Sequence, residues 1–237
     1  MRTTLSDDRG PVATYHRDER NGVVYADLFE REPEVSHDRA AKAVLAQLRG
    51  MRIAGDEALG RALIAAGGTP WRHGHFMSHD LAERPRWQAP PGYRLTDVDR
   101  PAADLLDAYR AAFPRDHVDH RDETPERALD ELEGHLSGQA FGPLLHGSGL
   151  AVAPDGTVAG AIIVGLLPGD PPLNGPWLME VFRHPAHPGV GRALVERALA
   201  LTDGPALGLM VTEGNPARAL YEALGFRLVR TALVVQI

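Results

Sequence analysis

The chain has 237 residues, of which 43% are hydrophobic and 24% are charged, a balance typical of a globular protein with a buried core. Its formal net charge of −7 does not favour binding to nucleic acid or to an anionic membrane surface. Because the sequence contains no cysteine, disulfide scaffolds, thiolate nucleophiles and cysteine–zinc sites are excluded.

Apolar runs in the sequence are short. The longest, residues 158–167, is interrupted by glycines and falls far below the roughly 20 residues that a membrane-spanning helix needs. Residues 1–9 are polar and lack the hydrophobic segment of a secretory signal. We therefore expect a cytoplasmic protein that does not bind a membrane.

Strand and helix patterns alternate in the first third of the chain. The predicted elements are strands 11–16 and 22–29, a helix from the N-cap Ser36 to Leu48, strand 51–54, a helix from the N-cap Asp56 to the glycines at 67 and 68, and strand 71–77. Residues 20–22, with their Asn-Gly pair, predict a hairpin turn between the first two strands.

Residues 83–92 show no periodicity and contain two adjacent prolines and a glycine, which predicts a linker. This linker would separate a smaller N-terminal α/β half-domain, residues 1–82, from a second domain, residues 93–237.

The pattern restarts after the linker. The predicted elements are strand 93–98, helix 101–113, a helix from the N-cap Thr124 to Leu136, strands 150–153 and 158–167, a Pro/Gly loop at 166–175, strand 177–183, helix 191–201, strand 207–212, helix 216–224 and strand 226–235. Strands that alternate with helices after an initial hairpin predict an α/β (α+β) fold built on a mixed sheet.

A glycine-containing turn joins a strand to a helix at residues 181–194, VFRHPAHPGVGRAL. The first backbone N–H groups of a helix have no helical partner, and glycine permits close approach, so this junction is suited to a pyrophosphate. The alternative is an ordinary strand–helix connection whose glycines only turn the chain. The segment is neither a P-loop nor a dinucleotide-binding fingerprint, because no Gly-Lys-Ser/Thr follows and Leu194 stands where the third glycine would be.

A second segment, residues 215–226, reads NPARALYEALGF. Asn215 is a predicted helix cap, and Gly225 is predicted to end the helix. Tyr221 would lie two turns into this helix on the side of the preceding strand end. By itself the segment could also be a well-formed helix with an amphipathic tyrosine.

Together the two segments resemble the GNAT superfamily of acyl-CoA-dependent N-acyltransferases, over residues 93–237. The resemblance implies a mostly antiparallel mixed sheet flanked by helices. It also implies that the strand ending at Arg183 is splayed from the strand at residues 207–212, which opens a V-shaped cleft for the acyl-CoA.

The resemblance also implies roles for single residues. The main chains of Val181 and Arg183 match positions that pair with the pantetheine of acetyl-CoA, Asn215 matches a side chain that hydrogen-bonds the cofactor, and Tyr221 matches the general acid that protonates the CoA thiolate. The backbone amides that match the pyrophosphate cradle are those of Gly189, Val190, Gly191, Arg192 and Ala193. Compared with the family pattern the cradle is shortened, and Pro188 has no N–H to donate.

Glu180 is the candidate base for the attacking amine, and the alternative is an exposed strand residue. Strand alternation predicts that its side chain points away from those of Val181 and Arg183. No metal site is predicted, because the paired histidines lack familiar ligand spacings. His117 and His120 lie in a loop that could line the acceptor pocket.

The N-terminal part looks like a degenerate copy of the back half of a GNAT domain. Sliding residues 215–226 onto it pairs Glu57 with Asn215 and Leu63 with Tyr221. Acidic residues stand where the glycine turn would be, and they should repel a phosphate. The alternative is a coincidental similarity of helix and strand order.

The sequence therefore predicts a transfer of acetyl from acetyl-CoA to a primary amine of a small molecule or peptide. The absence of cysteine favours direct attack by the amine over an acyl-enzyme. The alternative is a non-catalytic acyl-CoA-binding regulatory module. A homodimer stays open.

Overall fold

The computed structural model describes residues 2–20, 22–139, 142–167 and 174–237. Within these ranges the strands are β1 (Arg2–Asp7), β2 (Gly10–Arg20), β3 (Val23–Arg31), β4 (Arg52–Asp56), β5 (Thr69–Asp80), β6 (Arg94–Thr96), β7 (Gly149–Val152), β8 (Val158–Leu167), β9 (Gly175–Arg183), β10 (Ala206–Thr212) and β11 (Arg227–Gln236). The helices are α1 (His37–Gln47), α2 (Glu57–Ala65), α3 (Ala102–Ala112), α4 (Pro125–Leu136), α5 (Val190–Leu201) and α6 (Ala217–Ala223).

The predicted helix starts are confirmed where a side chain caps the helix. The Ser36 hydroxyl accepts from the N–H of Arg39, and an Asp56 carboxylate oxygen accepts from the N–H of Leu59. Thr124 caps α4 in the same way. Each cap satisfies a backbone donor that would otherwise have no partner, which is why these short polar residues mark the starts so reliably.

The chain divides into two compact units, and the first comprises residues 1–75 and 230–237. Its strands have the order β1-β2-β3-β4-β11. β2 is antiparallel to β3, β3 is parallel to β4, and β4 is antiparallel to β11. Its core lies under α1 and α2 and includes Val44, Leu63 and, from the last strand, Val235.

The second unit comprises residues 76–229, and its strands have the order β5-β10-β9-β8-β7-β6. One buried cluster packs α5 against β8 and β10, and includes Leu194 and Leu209. Another packs α3 and α4 against β7, β8 and β9, and includes Tyr109 and Phe182. Helices therefore cover both faces of a mixed, mostly antiparallel sheet, and the predicted fold class is confirmed.

The compact units differ from the predicted domains 1–82, 83–92 and 93–237. The physical reason is that the C-terminal residues of β11 pair with β4, so that Ala232 lies opposite Asp56 and Gln236 opposite Arg52. Long-range pairing of this kind leaves no mark on local composition. Residues 83–92 form neither helix nor strand, as the linker prediction expects.

One strand was not predicted, and two predicted features fall on residues that the structure does not describe. Strand β1 was not predicted, because only Leu5 of its six residues is buried and the alternation is too weak to recognise. The hairpin prediction rests on Asn21, and most of the predicted Pro/Gly loop rests on residues 168–173, which lie outside the described residues. In the described ranges, no helix combines the length and the apolar character needed to cross a membrane.

Candidate active site

The pairing of β9 changes at a bulge. Against β8, Glu180 lies opposite Ile163 and Leu178 opposite Val164, so Met179 is the extra residue. On the other edge of β9, the described residues pair with β10 only at Trp177 and Leu178, just before the bulge. A bulge bends its strand. Residues 180–183 therefore continue past the last parallel pair, at the place where the cleft is predicted.

The N-terminus of α5 is open. Gly189 precedes it with φ 85°, a left-handed conformation that favours glycine, and no side chain caps the helix. A Cβ at Gly189 would meet no atom within 4 Å, and one at Gly191 would meet only the Arg183 side chain, at 3.6 Å. The N–H of Ala193 already donates to the Gly189 carbonyl at 3.2 Å. The amide of Ala193, one of the five predicted to contact the pyrophosphate, therefore already has a hydrogen-bond acceptor in the first turn of the helix.

Arg183 fixes the loop that leads into α5. Its guanidinium donates to the carbonyls of His184 and Pro185, at 3.3 and 3.1 Å. Val181 points to the other side of the sheet from Phe182, and it packs on the cluster beneath α5. The side chains of Val181 and Arg183 thus make contacts within the protein. The contacts with the pantetheine that are predicted for these two residues use their main chains.

Asn215 connects three parts of the unit. Its Oδ1 accepts from the N–H of Ala217, the first residue of α6, at 2.8 Å, although the N-cap position is Pro216 and not the predicted Asn215. Its Nδ2 donates to the Asp119 carboxylate at 2.7 Å, and the Thr212 hydroxyl donates to the other oxygen of the same carboxylate at 2.6 Å. Asn215 thereby ties the end of β10 and the start of α6 to the loop between α3 and α4.

Asp119 was missed by sequence reasoning. It lies more than 90 positions before Thr212 and Asn215 in a loop without periodicity, so no spacing signal connects it to them. The nearby His117 and His120 were predicted to line the acceptor pocket. Their side chains form hydrogen bonds with backbone groups of their own segment. His117 Nδ1 accepts from the N–H of Asp119, and His120 Nδ1 bonds to the Phe113 carbonyl.

Tyr221 is buried, with 5% of its surface exposed, and its ring packs edge-on against Phe226 at 5.7 Å. No group in the described chain hydrogen-bonds its hydroxyl. Burial raises the pKa of the phenol far above its usual value, and the negative charges of Glu180 and Asp119 raise it further. The phenol is therefore a proton donor at neutral pH, with two carboxylates close enough to act on it.

The Glu180 side chain is only 13% exposed, and its carboxylate lies 3.9 Å from the guanidinium of Arg121. Its strand neighbour Val181 packs on the opposite face of the sheet, in accordance with strand alternation. The alternative of an exposed strand residue is wrong, because Glu180 lies in a charged cluster built from β9, α4 and the loop after α3.

The sequence matches no protein-family model and no curated protein. It does resemble solved structures. A GCN5-related N-acetyltransferase from Sphaerobacter thermophilus matches with TM-score 0.65 and 16% identity, over 99% of this chain and 79% of that one. A tandem GNAT protein from the clavulanic acid biosynthesis pathway matches with TM-score 0.55 and 17% identity, over 97% and 79%. A GNAT-family acetyltransferase from Colwellia psychrerythraea matches with TM-score 0.56 and 10% identity, over 100% and 85%.

The chain has the GNAT fold. In this GNAT-like chain, the structure brings Tyr221 and Glu180 within electrostatic reach of each other, and Asn215 lies at the start of the tyrosine's helix. The predicted cradle residues lie together at the start of α5.

Glu131, His135 and Glu180 form a group that could hold a metal, with one ligand atom of each within 4.8 Å of the others. Sequence reasoning missed this group because its members come from α4 and β9. Arg121 bonds to Glu131 and lies beside Glu180, so a guanidinium already supplies positive charge there. That the site works without a metal stays a prediction.

Proposed function

We propose that the chain is an N-acetyltransferase that moves the acetyl group of acetyl-CoA directly to a primary amine of a small molecule or peptide. The observation that carries this proposal is the protonated, buried Tyr221 beside Glu180, next to the place where the β9–β10 pairing ends. An acid and a carboxylate in one place are what amide formation from a thioester requires.

The residues present fit the cosubstrate. Gly189 and Gly191 leave room over the start of α5, and the amides of Gly189, Val190, Gly191 and Arg192 have no acceptor in the described chain. A helix N-terminus of this kind attracts a pyrophosphate. The main chains of Val181 and Arg183 continue past the last pair with β10, where they would contact the pantetheine in the splayed cleft.

Acetyl-CoA supplies an activated acyl group as a thioester. The amine nitrogen forms the new C–N bond as the C–S bond breaks. Glu180, directly or through a water, accepts the proton that the amine must lose, and the Tyr221 hydroxyl donates a proton to the departing sulfur. Asn215, whose side chain is predicted to hydrogen-bond the cofactor, also holds α6, and with it Tyr221, at the end of β10.

A non-catalytic acyl-CoA-binding module is the second candidate. It is favoured by the short cradle, in which Ala193 donates within the helix and Pro188 has no N–H. This candidate and the transferase both predict binding of acetyl-CoA. Only the transferase predicts release of CoA in the presence of an amine.

Calorimetric titration with acetyl-CoA, followed by an assay of CoA release on a panel of amines, tests the proposal. We expect binding and amine-dependent release. Binding without release on any amine would establish the module instead, and the absence of binding would reject both.

A further inference from the structure

A groove of about 730 Å³ opens in the second unit, where β5 ends and β10 and β11 begin. Its walls come from these three strands and from the C-terminal end of α6. Sites for small molecules commonly have this size. We propose that the groove is a second binding site, which takes a small organic cation with an N–H donor and an apolar body. The transfer of an acetyl group does not depend on this site.

His79 supplies a polar group at the wall of the groove. The residue is only 7% exposed, and its buried Nδ1 has no hydrogen-bond partner among the residues that the structure describes. Buried polar atoms normally have such a partner, so an unpartnered nitrogen at the wall of a groove points to a ligand. When the imidazole carries its proton on Nε2, Nδ1 is an acceptor for a ligand N–H.

Ring contacts hold His79 at this wall. Its ring packs edge-on against Phe226, with the centroids 5.4 Å apart. A Cβ at Gly225 would lie 3.3 Å from both Cδ2 and Nε2 of the imidazole, and Gly225 has φ 90°, a left-handed conformation that favours glycine. Within the described ranges no hydrogen bond restrains the imidazole. A ligand can therefore draw Nδ1 toward the groove without breaking one.

Acidic side chains outnumber basic ones in the lining. Asp80 and Glu83 are exposed, and neither forms an ion pair with a residue that the structure describes. Glu222 already pairs with Arg218 at 2.9 Å. Arg227 brings one positive charge to the groove. The remaining charges, two negative and one positive, favour a cation over an anion.

Glu83 is the carboxylate that is free to receive this cation. One oxygen of Asp80 accepts from the N–H of Ala82 at 2.8 Å. The Glu83 carboxylate accepts no hydrogen bond from the described part of the chain. A cation between Glu83 and His79 would have a charge partner on one side and a hydrogen-bond acceptor on the other.

Apolar atoms complete the lining. They belong to Pro205, Ala206, Phe226 and Val229, and a hydrocarbon body that covers them removes apolar surface from water. Along β10, Ala206 and Thr212 are separated by a rise of about 20 Å. The groove and the predicted cleft therefore lie at opposite ends of this strand, and a ligand in the groove does not occupy the acceptor pocket.

A matched set of benzyl compounds tests the proposal on the whole chain. N,N-Dimethylbenzylamine is a cation with one N–H at pH 7, and its tertiary nitrogen cannot form an amide. Benzyltrimethylammonium keeps the charge without the N–H, and phenylacetate reverses the charge. In calorimetric titrations we expect the Kd to rise about fivefold from the tertiary amine to the quaternary cation. For phenylacetate it should rise at least about tenfold.

Added salt should weaken the preference for the two cations over phenylacetate. Equal affinity for the three compounds, tighter binding of phenylacetate, or no binding of the tertiary amine would overturn the proposal. Because none of these compounds is an acceptor for acetyl transfer, such a result would leave the proposed transferase intact.

Charge variants decide whether the amine binds in the groove. Glu83→Gln should raise the Kd of the tertiary amine about fivefold, and Arg227→Gln should lower it by about as much, because the opposing charge is removed. Both residues are exposed, so neither change should affect folding. Glu133→Gln, at an exposed glutamate of α4, is the matched control and should leave the Kd unchanged. Unchanged binding in both groove variants would reject the groove as the site.

The variant His79→Phe tests the hydrogen bond. It keeps a ring against Phe226 and removes both nitrogens, so the tertiary amine and the quaternary cation should bind with equal affinity. A preference for the tertiary amine that persists in this variant would exclude His79 as the acceptor. Circular dichroism checks that the variant folds, and if it does not, the two charge variants alone decide.

Discussion

Residues 23–80 and residues 175–236 pass through the same elements in the same order: β3–α1–β4–α2–β5 and β9–α5–β10–α6–β11. In each region the first strand forms two parallel pairs with the second and then meets an irregularity in its antiparallel ladder, near Leu28 in β3 and at Met179 in β9. Each first strand also ends in an arginine, Arg31 or Arg183, that donates to carbonyls of the following loop.

The two regions differ in their side chains at the helix starts. Ser36 caps α1 with its hydroxyl, whereas Gly189 leaves the N-terminus of α5 without a side-chain cap. The buried side chains of the second helices also differ, since α2 buries Leu63 whereas α6 buries Tyr221. The two regions therefore share their element order, a ladder irregularity and two parallel pairs, while the groups that could bind a phosphate or donate a proton occur in only one of them.

Removing the phenolic hydroxyl in the second region should have the largest effect. Tyr221→Phe removes the proposed acid, and we expect kcat to fall about a hundredfold with acetyl-CoA binding nearly unchanged. The raised pKa of Tyr221 also predicts that the wild type loses no activity through this residue as the pH rises to 10. Steady-state kinetics and calorimetry measure both quantities.

Tyr15→Phe is the matched control, because it removes a hydroxyl from a buried tyrosine of the first unit. It should leave kcat unchanged. If Tyr221→Phe and Tyr15→Phe have the same kcat, Tyr221 is not the acid.

The open start of α5 should be more important for binding than for stability. Gly191→Ala places a methyl group where the pyrophosphate would lie, and we expect the Kd for acetyl-CoA to rise about tenfold. The free energy of unfolding should not fall, because the added Cβ meets only the Arg183 side chain, at 3.6 Å. Urea unfolding and calorimetry separate the two effects.

Gly134→Ala in α4 is the control for this change, since a Cβ there meets nothing within 4 Å. It should alter neither acetyl-CoA binding nor the cleft. An unchanged Kd in Gly191→Ala would place the pyrophosphate elsewhere.

Much of this architecture could be predicted because its signals are local. Ser36, Asp56 and Thr124 each bond to an amide three residues away, and such spacings are visible in a single sequence. The alignment of the two regions stays a prediction. Asp56 caps the second helix, one residue before the Glu57 that the alignment pairs with Asn215.

The site could be predicted only in part, because its electrostatics are not local. Tyr221 and Asn215 lie within one short motif, and the family pattern identified both. Asp119, more than 90 positions earlier in a loop, bonds to Asn215, while Arg121 and Glu131 lie beside Glu180. No periodicity connects these segments. The pairing of β11 with β4 was missed for the same reason.

Removing a helix cap from the first region should have a smaller effect. Ser36→Ala leaves the N–H of Arg39 without its acceptor, and we expect the free energy of unfolding to fall by about 1 kcal/mol. Acetyl-CoA binding should not change, because α1 is not part of the proposed cradle. Ser6→Ala, at an exposed serine of the same unit, should change neither quantity. A weaker acetyl-CoA complex in Ser36→Ala would bring α1 into the binding site.

The smallest expected effect is a difference in acid stability between the two units. Burial lowers the pKa of His135 in the folded state, so the unfolded chain gains a proton more readily as the pH falls below about 6.5. Stability contributed by the second unit should therefore begin to decline there. In the first unit, the hydrogen bonds from Arg39 hold the pKa of Asp7 at about 2. Its contribution is present above the usual pKa of 3.8 and is lost as the pH falls from there through 2. Urea unfolding at a series of pH values should show the first decline disappear in His135→Gln and persist in Asp7→Asn. The reverse result would mean that the acid sensitivity of the chain lies in its first unit.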